Sequence, residues 1–273
     1  MKTLENQTLL YDQDCPLCNL YTSGFVKSGM LDKNGRKAYS QLSQEEQRFV
    51  DLKRAPNEIA LVDNTSKTVI YGIDSLLKVI GFSFPWIEKL GAIQPIHFIL
   101  TKLYSFVSYN RKVIIPGNIN EENKLQCTPD FNYKYRFIFI VFALTLTSFV
   151  LFGYSNLIPN LPKSNIAREI ILAFGQIIFQ SLFLLKFNKK TIINYAGNVM
   201  TVSLMGSLIL VPILILNQFI NLPGILVLGW FGITVFIMFA EHLRRVKVLK
   251  LPFYLSYTWI LYRILALLLI LNF

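Results

Sequence analysis

Residues 8–20 read TLLYDQDCPLCNL, and their pattern of apolar and polar residues predicts how the N-terminal half begins to fold. The apolar run that ends at Tyr11 predicts a strand, and the polar residues after it predict a turn. Asp14 is the predicted N-cap of the next helix, with Pro16 in its first turn. Apolar positions recur at helical spacing over residues 17–30, so the stretch predicts strand, turn and helix in that order.

The rest of the first half continues this alternation of strands and helices. The predicted elements are a strand at 37–42, a helix at 43–53, hairpin strands at 58–63 and 68–71, and helices at 73–80 and 96–109. The hairpin follows from the polar residues 64–67 between two apolar runs. The order β-α-β-α-β-β-α-α predicts a small α/β sheet with helices packed on it, of the thioredoxin-like kind.

The distribution of charged residues along the chain indicates two domains. Residues 1–136 contain 17 Lys and Arg and 14 Asp and Glu, whereas residues 137–273 contain 10 and 2. The net charges are +3 (17 minus 14) and +8 (10 minus 2), which sum to the total of +11. The chain is 53% hydrophobic and only 16% charged, with a mean hydropathy of +0.45. We therefore predict an α/β domain at residues 1–132 and an all-α transmembrane domain at residues 133–273.

Long apolar segments in the second half predict about five transmembrane helices. Lys190 and Glu241 enclose 50 residues without a charge, which is enough for two spans. The predicted spans are residues 136–154, 166–186, 195–216, 222–241 and 253–272. The second half is therefore expected to be a polytopic helical domain.

The basic residues beside these spans predict an orientation. With the N-terminal domain in the cytoplasm, nine Lys and Arg lie inside and two lie outside. The inside set is Lys134, Arg136, Lys186, Lys189, Lys190, Arg244, Arg245, Lys247 and Lys250, and the outside set is Lys163 and Arg168. The polar N-terminus lacks the apolar core of a signal peptide. We expect a multi-pass protein of the membrane, the bacterial inner membrane if prokaryotic, that contacts the lipid bilayer and no nucleic acid.

Cys15 and Cys18 carry the strongest chemical signal. Two cysteines three residues apart at a helix N-terminus place Cys15 beside backbone N–H groups that stabilise a thiolate. Cys15 is therefore the predicted nucleophile toward a disulfide, and Cys18 is the predicted resolving thiol. Asp12 could accept the proton of Cys18, although a carboxylate at Asp12 or Asp14 opposes ionisation of Cys15. The alternative is that both aspartates only cap the turn.

The same residues resemble a known family. The run Asp12-Gln-Asp-Cys15-Pro-Leu-Cys18 is similar to the Asp-x-x-Cys-x-x-Cys signature of the DCC family, although Gln13 stands where Gly is usual. Ser40-Gln-Leu, Gly72-Ile-Asp, Tyr109-Asn-Arg and Cys127-Thr-Pro resemble later landmarks of that family in the same order, so the resemblance covers about residues 7–130. It implies a thioredoxin-like fold and a redox role for Cys15 and Cys18. It implies no known substrate.

Other interpretations of the cysteines stay open. Cys15, Cys18, Cys127 and His97 would together form a Cys₃His zinc set, and the close pair alone could carry Cu(I). A structural disulfide is disfavoured in a reducing cytosol. Cys127 is a candidate for a second resolving thiol. No organic cofactor is expected, since the first half lacks a glycine-rich phosphate loop, and no metal ligand is assigned.

Two functions follow from these observations. The first is a membrane-anchored thiol-disulfide oxidoreductase that acts on an unknown thiol or disulfide substrate at the cytoplasmic face and docks a possible membrane partner. Because no cysteine follows Cys127, this chain has no relay of thiols across the bilayer. The alternative is a transporter or lipid-handling module with a regulatory redox or metal-binding domain. That alternative predicts that Arg263 and the polar residues of the spans line one cavity. These residues are Gln176, Gln180, Asn194 and Asn198.

Overall fold

The fold is taken from a computed structural model that describes residues 2–117 and 125–272. The chain divides into two compact units, Met1–Tyr135 and Arg136–Phe273. This boundary lies three residues from the predicted one. The first unit contains a small sheet and helices, and the second contains helices, in agreement with the predicted division into an α/β and an all-α part.

A four-stranded sheet forms the centre of the first unit. Its strands are β1 (Gln7–Tyr11), β2 (Arg36–Ala38), β3 (Ala60–Asp63) and β4 (Val69–Tyr71), in the order β2-β1-β3-β4. β1 pairs with β2 in parallel and with β3 antiparallel. β3 pairs antiparallel with β4, which confirms the predicted hairpin. The strand that leads into the two cysteines therefore lies inside the sheet, with a neighbour on each side.

Alternating side chains of β1 supply the two halves of the core. Leu9 packs with Leu31, Leu61 and Val79 on one face of the sheet. Leu10 packs on the other face, in a cluster that also contains Tyr39, Leu42, Val50 and Val62. Successive residues of a strand point to opposite faces of the sheet, so Leu9 and Leu10 pack in the cores on the two sides of the sheet. Both leucines are buried, which anchors the strand.

The α-helices of the first unit follow the first and the last strand of the sheet. α1 (Pro16–Lys27) comes after β1, and α2 (Ile73–Ser83), α3 (Pro85–Gly91) and α4 (Gln94–Ile114) come after β4. α1 and α2 match the predicted helices, whereas α3 was not predicted and α4 is longer at both ends. Phe84, which precedes Pro85, has non-helical angles (φ −130, ψ 80), and this break separates α2 from α3.

The predicted helix at residues 43–53 is wrong. The segment contains only a short 3₁₀ turn, Glu46–Arg48. The start signal is real, because Ser43 and Glu46 exchange hydrogen bonds in a capping box. The helix ends early because the Asp51 carboxylate accepts hydrogen bonds from the backbone N–H groups of Lys53 and Arg54 and turns the chain.

The segment after α4 passes directly over the start of α1. Gly117 lies so close to Asp14 and Pro16 that a Cβ at this position would collide with the carbonyl oxygen of Asp14. A residue without a side chain is therefore required for this close approach of two backbones. The consequence is that the turn before α1 is covered by the protein's own chain.

Five helices form the C-terminal part: α5 (Tyr133–Ser155), α6 (Ile166–Leu182), α7 (Lys189–Leu216), α8 (Gly224–Val248) and α9 (Tyr254–Asn272). Four of them, all except α6, are long and apolar enough to cross a membrane, as in a multi-pass membrane protein. The sequence predicted about five spans. α6 has 17 residues, a length of about 25 Å against roughly 30 Å of hydrocarbon, and Arg168 and Glu169 occupy its first turn.

Gly72 offers a test of this fold, because it precedes α2 with φ +68 and ψ −136, angles that other residues rarely adopt. We expect Gly72→Ala to destabilise the β3–α2 region by about 1–3 kcal/mol. Amide hydrogen exchange of the full-length protein should become faster in peptides that cover β3, β4 and α2. Gly24→Ala is the control, since Gly24 is helical with open space around it and should gain about 1 kcal/mol. Unchanged exchange in Gly72→Ala would contradict the assigned backbone conformation.

Candidate active site

The end of β1 and the start of α1 position the two cysteines. The Asp12 carboxylate accepts a hydrogen bond from the Asp14 N–H at 3.0 Å, and the Cys15 N–H donates to the Asp12 carbonyl at 3.2 Å. The N-cap of α1 is Cys15, so the predicted cap at Asp14 is wrong. The Cys15 Sγ accepts a hydrogen bond from the Cys18 N–H at 3.5 Å. The sulfur therefore occupies the place that a capping oxygen usually takes.

The two thiols differ strongly in acidity. A hydrogen bond from the Cys18 thiol, together with the Cys18 N–H and the positive charge of Arg111, lowers the pKa of Cys15 from 9.0 to about 6, although burial and Asp12 oppose this. The hydrogen bond to Cys15 and burial raise the pKa of Cys18 above its ordinary value. At neutral pH the pair is therefore one thiolate, Cys15, beside one thiol, Cys18.

Arg111 on α4 is the cation of the site. Its guanidinium is buried, and it donates hydrogen bonds to the Pro56 carbonyl at 2.8 Å, the Cys127 carbonyl at 3.0 Å and the Ser108 Oγ at 3.0 Å. Burial disfavours the charged form, but the negative charges of Asp12 and of the Cys15 thiolate favour it, so the pKa of Arg111 lies above its ordinary value. The guanidinium therefore stays charged.

Other residues of α4 align Arg111 with the sheet. The Tyr104 hydroxyl accepts a hydrogen bond from the Ile59 N–H at 2.7 Å, and the Ser108 hydroxyl donates to the Asn57 carbonyl at 2.6 Å. Tyr104, Ser108 and Arg111 are spaced four and three residues apart, so they share one helix face. This face fixes α4 against the chain that leads into β3.

Asp12 is part of an ion-pair network. Its side chain is buried, and its Oδ2 lies 2.7 Å from the Lys112 Nζ and 3.6 Å from the Arg111 Nη2. Its Oδ1 takes the Asp14 N–H described above. These contacts favour the interpretation of Asp12 as a capping and charge-balancing residue. Asp14 is half-buried, and its backbone rather than its carboxylate makes the described contact with Asp12.

Cys127 joins the same cluster from a distant part of the sequence. Its Sγ lies 3.9 Å from the Arg111 Nη2 and 3.9 Å from the Ala55 carbonyl oxygen. Burial raises the pKa of Cys127 to about 12, so it stays a thiol at neutral pH. All three cysteines are free thiols in this structure.

A cavity of about 330 Å³ adjoins this cluster, mainly between α1, α2 and α4. Leu17, Leu76, Leu100, Leu103 and Val107 contribute to its apolar walls. Its polar lining includes Asp12, Cys18, Ser108, Arg111 and Cys127. Cys18 is the member of the pair that lines the cavity, and Cys15 lies behind it, fully buried.

Sequence reasoning found the cysteine pair and the aspartates but missed the cation. Arg111 entered only as a landmark of the family resemblance, and Lys112 was not singled out. The available signal was weak, because α4 reads as an ordinary amphipathic helix with basic residues near its end. Its contact with residues 12, 56 and 127 is formed only when the chain folds.

The zinc interpretation receives no support from the described residues, where no group of three or more His, Cys, Asp and Glu is placed to hold a metal ion. His97, the fourth ligand considered, contacts Asp74 instead, with Nε2 2.8 Å from Oδ1. The cluster around Cys15 contains the cysteines, the cations Arg111 and Lys112, and the Asp12 carboxylate.

Several polar residues of the second unit form hydrogen bonds between its helices. Gln180 accepts a hydrogen bond from the Tyr195 hydroxyl, which also contacts His242, each at 2.9 Å. Arg245 donates to Asn198 at 2.9 Å, and Arg263 donates to Ser203 at 3.5 Å. Gln176 is buried, whereas Asn194 is only half-buried. Hydrogen bonds of this kind join helices within membranes.

The acidity of Cys15 gives a direct test of the site. We expect alkylation of Cys15 by iodoacetamide, followed by mass spectrometry of the full-length protein, to rise with pH around a midpoint of about 6. Cys18→Ala removes the thiol donor, so the pKa should rise and the midpoint should move toward 9.0. Cys127→Ala is the control and should leave the midpoint unchanged. A midpoint near 9.0 in the wild type would refute the assigned thiolate.

Comparisons of this chain with protein-family models, with curated proteins and with solved structures found no match. The resemblance to the DCC family therefore rests on the motif residues quoted above. The arrangement of Cys15, Cys18 and Arg111 is the basis for a proposal of function.

Proposed function

We propose that this chain is a membrane-anchored thiol-disulfide oxidoreductase in which Cys15 attacks a disulfide and Cys18 resolves the mixed disulfide. One observation carries the proposal: the Cys15 Sγ caps α1 and accepts the Cys18 N–H at 3.5 Å, a position that, with the Cys18 thiol and Arg111, lowers the pKa of Cys15. A nucleophile with a pKa below neutral is ionised in the cell. A neighbouring thiol then completes the exchange.

Arg111 and Asp12 have different tasks in this proposal. The charge of Arg111 stabilises the Cys15 thiolate and each thiolate that is formed during exchange. The Asp12 carboxylate lies 2.7 Å from the Lys112 Nζ and 3.6 Å from the Arg111 Nη2, so one negative charge is shared between two cations. Asp12 is therefore proposed as a positioning residue, and Asp14 as part of the turn. The reducing poise of the cytosol favours reduction of the substrate.

The sheet supports assignment of the first unit to the thioredoxin-like kind. The order β2-β1-β3-β4 has one parallel pair and two antiparallel pairs, and the cysteines follow the inner strand β1. A short parallel crossover through α1 joins β1 to β2. This placement supplies a helix N-terminus at the end of a central strand, which is where a reactive thiolate is stabilised.

The function is tested by titration of the full-length protein in lipid nanodiscs across a glutathione series, with a thiol gel shift as the readout. The expected result is a reversible two-thiol transition that is lost in Cys15→Ser and in Cys18→Ser. The transition should persist in Cys127→Ser, which serves as the control. If no Cys15–Cys18 disulfide forms at any redox potential of the glutathione series, the proposed function is wrong.

We further propose that the first unit faces the cytoplasm and that the chain crosses the membrane five times. With α6 as a span, nine Lys and Arg flank the helices on the inside and two on the outside, as the positive-inside rule requires. If α6 does not cross the membrane, every loop after it lies on the opposite side. With the first unit still in the cytoplasm, Lys134 and Arg136 would then be the only flanking basic residues on the cytoplasmic side.

The outer surface of α6 favours this count. Ile171, Phe174, Ile178 and Leu182 are exposed along one side of the helix. The opposite side packs on α7 and α9, where Gln180 meets Tyr195 and the Tyr262 hydroxyl donates to the Leu172 carbonyl at 2.7 Å. A helix that packs between two apolar helices and exposes large apolar side chains is suited to lipid contact.

Labelling of single cysteines tests the topology. In a variant with all three native cysteines replaced by Ser, Lys163→Cys precedes α6 and Phe187→Cys follows it, and both positions are exposed. We expect a membrane-impermeant maleimide added to intact cells to label Lys163→Cys only. In inverted vesicles it should label Phe187→Cys only. Labelling of both positions from the same side would rule out α6 as a span.

A further inference from the structure

Among the described residues, one cavity reaches the cysteine pair at Cys18. Cys15 is 0% exposed, and the chain at Gly117 lies directly over Asp14 and Pro16. Cys18 lines the cavity of about 330 Å³ between α1, α2 and α4. Leu103 and Val107 line the same cavity and are exposed on α4, so the cavity opens on that side. The cavity therefore brings a ligand next to Cys18, the member of the pair that lines it.

The size and polarity of the cavity restrict which disulfides can bind in it. Its volume lies near the lower end of ligand pockets, which range over roughly 300–1,000 Å³. Leucine and valine side chains form much of its wall, and burial of aliphatic ligand atoms against them is favourable. A folded protein cannot enter a space of this size, and a large, highly charged peptide disulfide would lose its hydration without matching partners.

Arg111 supplies a recognition group at the polar part of the lining. Its Nη1 and Nη2 are occupied by Ser108, Pro56 and Cys127. Its Nε is buried and has no hydrogen-bond partner among the described residues. A buried donor that lacks an acceptor costs about 1–3 kcal/mol, which an acceptor oxygen of a ligand would recover.

We propose that this cavity binds a compact, mainly aliphatic disulfide that carries one carbonyl or carboxylate oxygen toward Arg111. The proposal rests on the proposed function and names its substrate class. The apolar walls hold the aliphatic body, the guanidinium takes the oxygen, and the substrate disulfide lies beside Cys18 and Cys15.

The exchange is balanced in atoms and electrons. The Cys15 thiolate attacks one substrate sulfur, so a Cys15–substrate bond forms and the substrate S–S bond breaks. The released substrate thiolate takes the proton of Cys18. The Cys18 thiolate then attacks the Cys15 Sγ, which forms the Cys15–Cys18 disulfide and releases the second substrate sulfur as a thiolate. Two electrons pass from the protein dithiol to the substrate.

The probe is lipoamide, a cyclic five-membered disulfide on an aliphatic arm that ends in an amide. The reduced full-length protein in lipid nanodiscs is mixed with lipoamide, and formation of the Cys15–Cys18 bridge is followed by rapid quench and mass spectrometry. The comparisons are an alkyl dithiolane of equal length without the amide, glutathione disulfide and insulin. Lipoamide is expected to react fastest, by roughly tenfold or more over each comparison compound.

Two tryptophan variants on α4 distinguish the effect of filling the cavity from the effect of adding a large side chain to the helix surface. Leu103→Trp fills the cavity and should slow the reaction with lipoamide by roughly tenfold or more. Ile99→Trp is the matched control, since Ile99 has the same 56% exposure as Leu103 but does not line the cavity, and should leave the rate unchanged.

The outcomes distinguish this inference from the proposed function. If glutathione disulfide or insulin reacts as fast as lipoamide, or if Leu103→Trp has no effect, the substrate class is wrong while the redox function stands. If the dithiolane without the amide reacts as fast as lipoamide, the assigned role of Arg111 is wrong. If no disulfide oxidises the pair, the proposed function itself fails.

Discussion

The buried guanidinium of Arg111 is the interaction on which the rest of the first unit depends. It joins α4 to the chain before β3 through Pro56, to the segment after α4 through Cys127, and to the end of β1 through Asp12. A charge that is buried this deeply is stable only while its partners stay in place. The same contacts that hold three distant segments together therefore also set the electrostatics around the cysteines.

This arrangement couples stability to chemistry at the end of β1. The thiolate of Cys15 adds negative charge beside Arg111, whereas Asp12 opposes that charge and is itself balanced by Lys112. The hydrogen bond from Cys18 is the largest influence on Cys15, and the same bond keeps Cys18 protonated. Both residues are cysteines, so the difference between their pKa values comes from their positions in the structure and not from residue type.

Much of the fold follows from local patterns. The run of residues 8–20 predicts β1 and α1, the polar residues 64–67 predict the hairpin, and the apolar segments predict helices that are long enough to cross a membrane. The errors occur where a side chain overrides the pattern. Asp51 ends the predicted helix at 43–53, and Cys15 takes the capping place that was assigned to Asp14. Such competition between side chain and backbone is not visible in periodicity.

The sequence by itself determined the division into an α/β part and an apolar helical part, the position of the cysteine pair at a helix N-terminus, and the excess of basic residues beside the spans. Folding alone brings Arg111, Cys127 and Cys18 to the lining of one cavity, places the chain at Gly117 over Asp14 and Pro16, and buries Cys15. Local propensity and hydrophobic periodicity depend on neighbours in sequence. Burial, charge pairing and cavity shape depend on residues that are up to about a hundred positions apart, and those meet only when the chain folds.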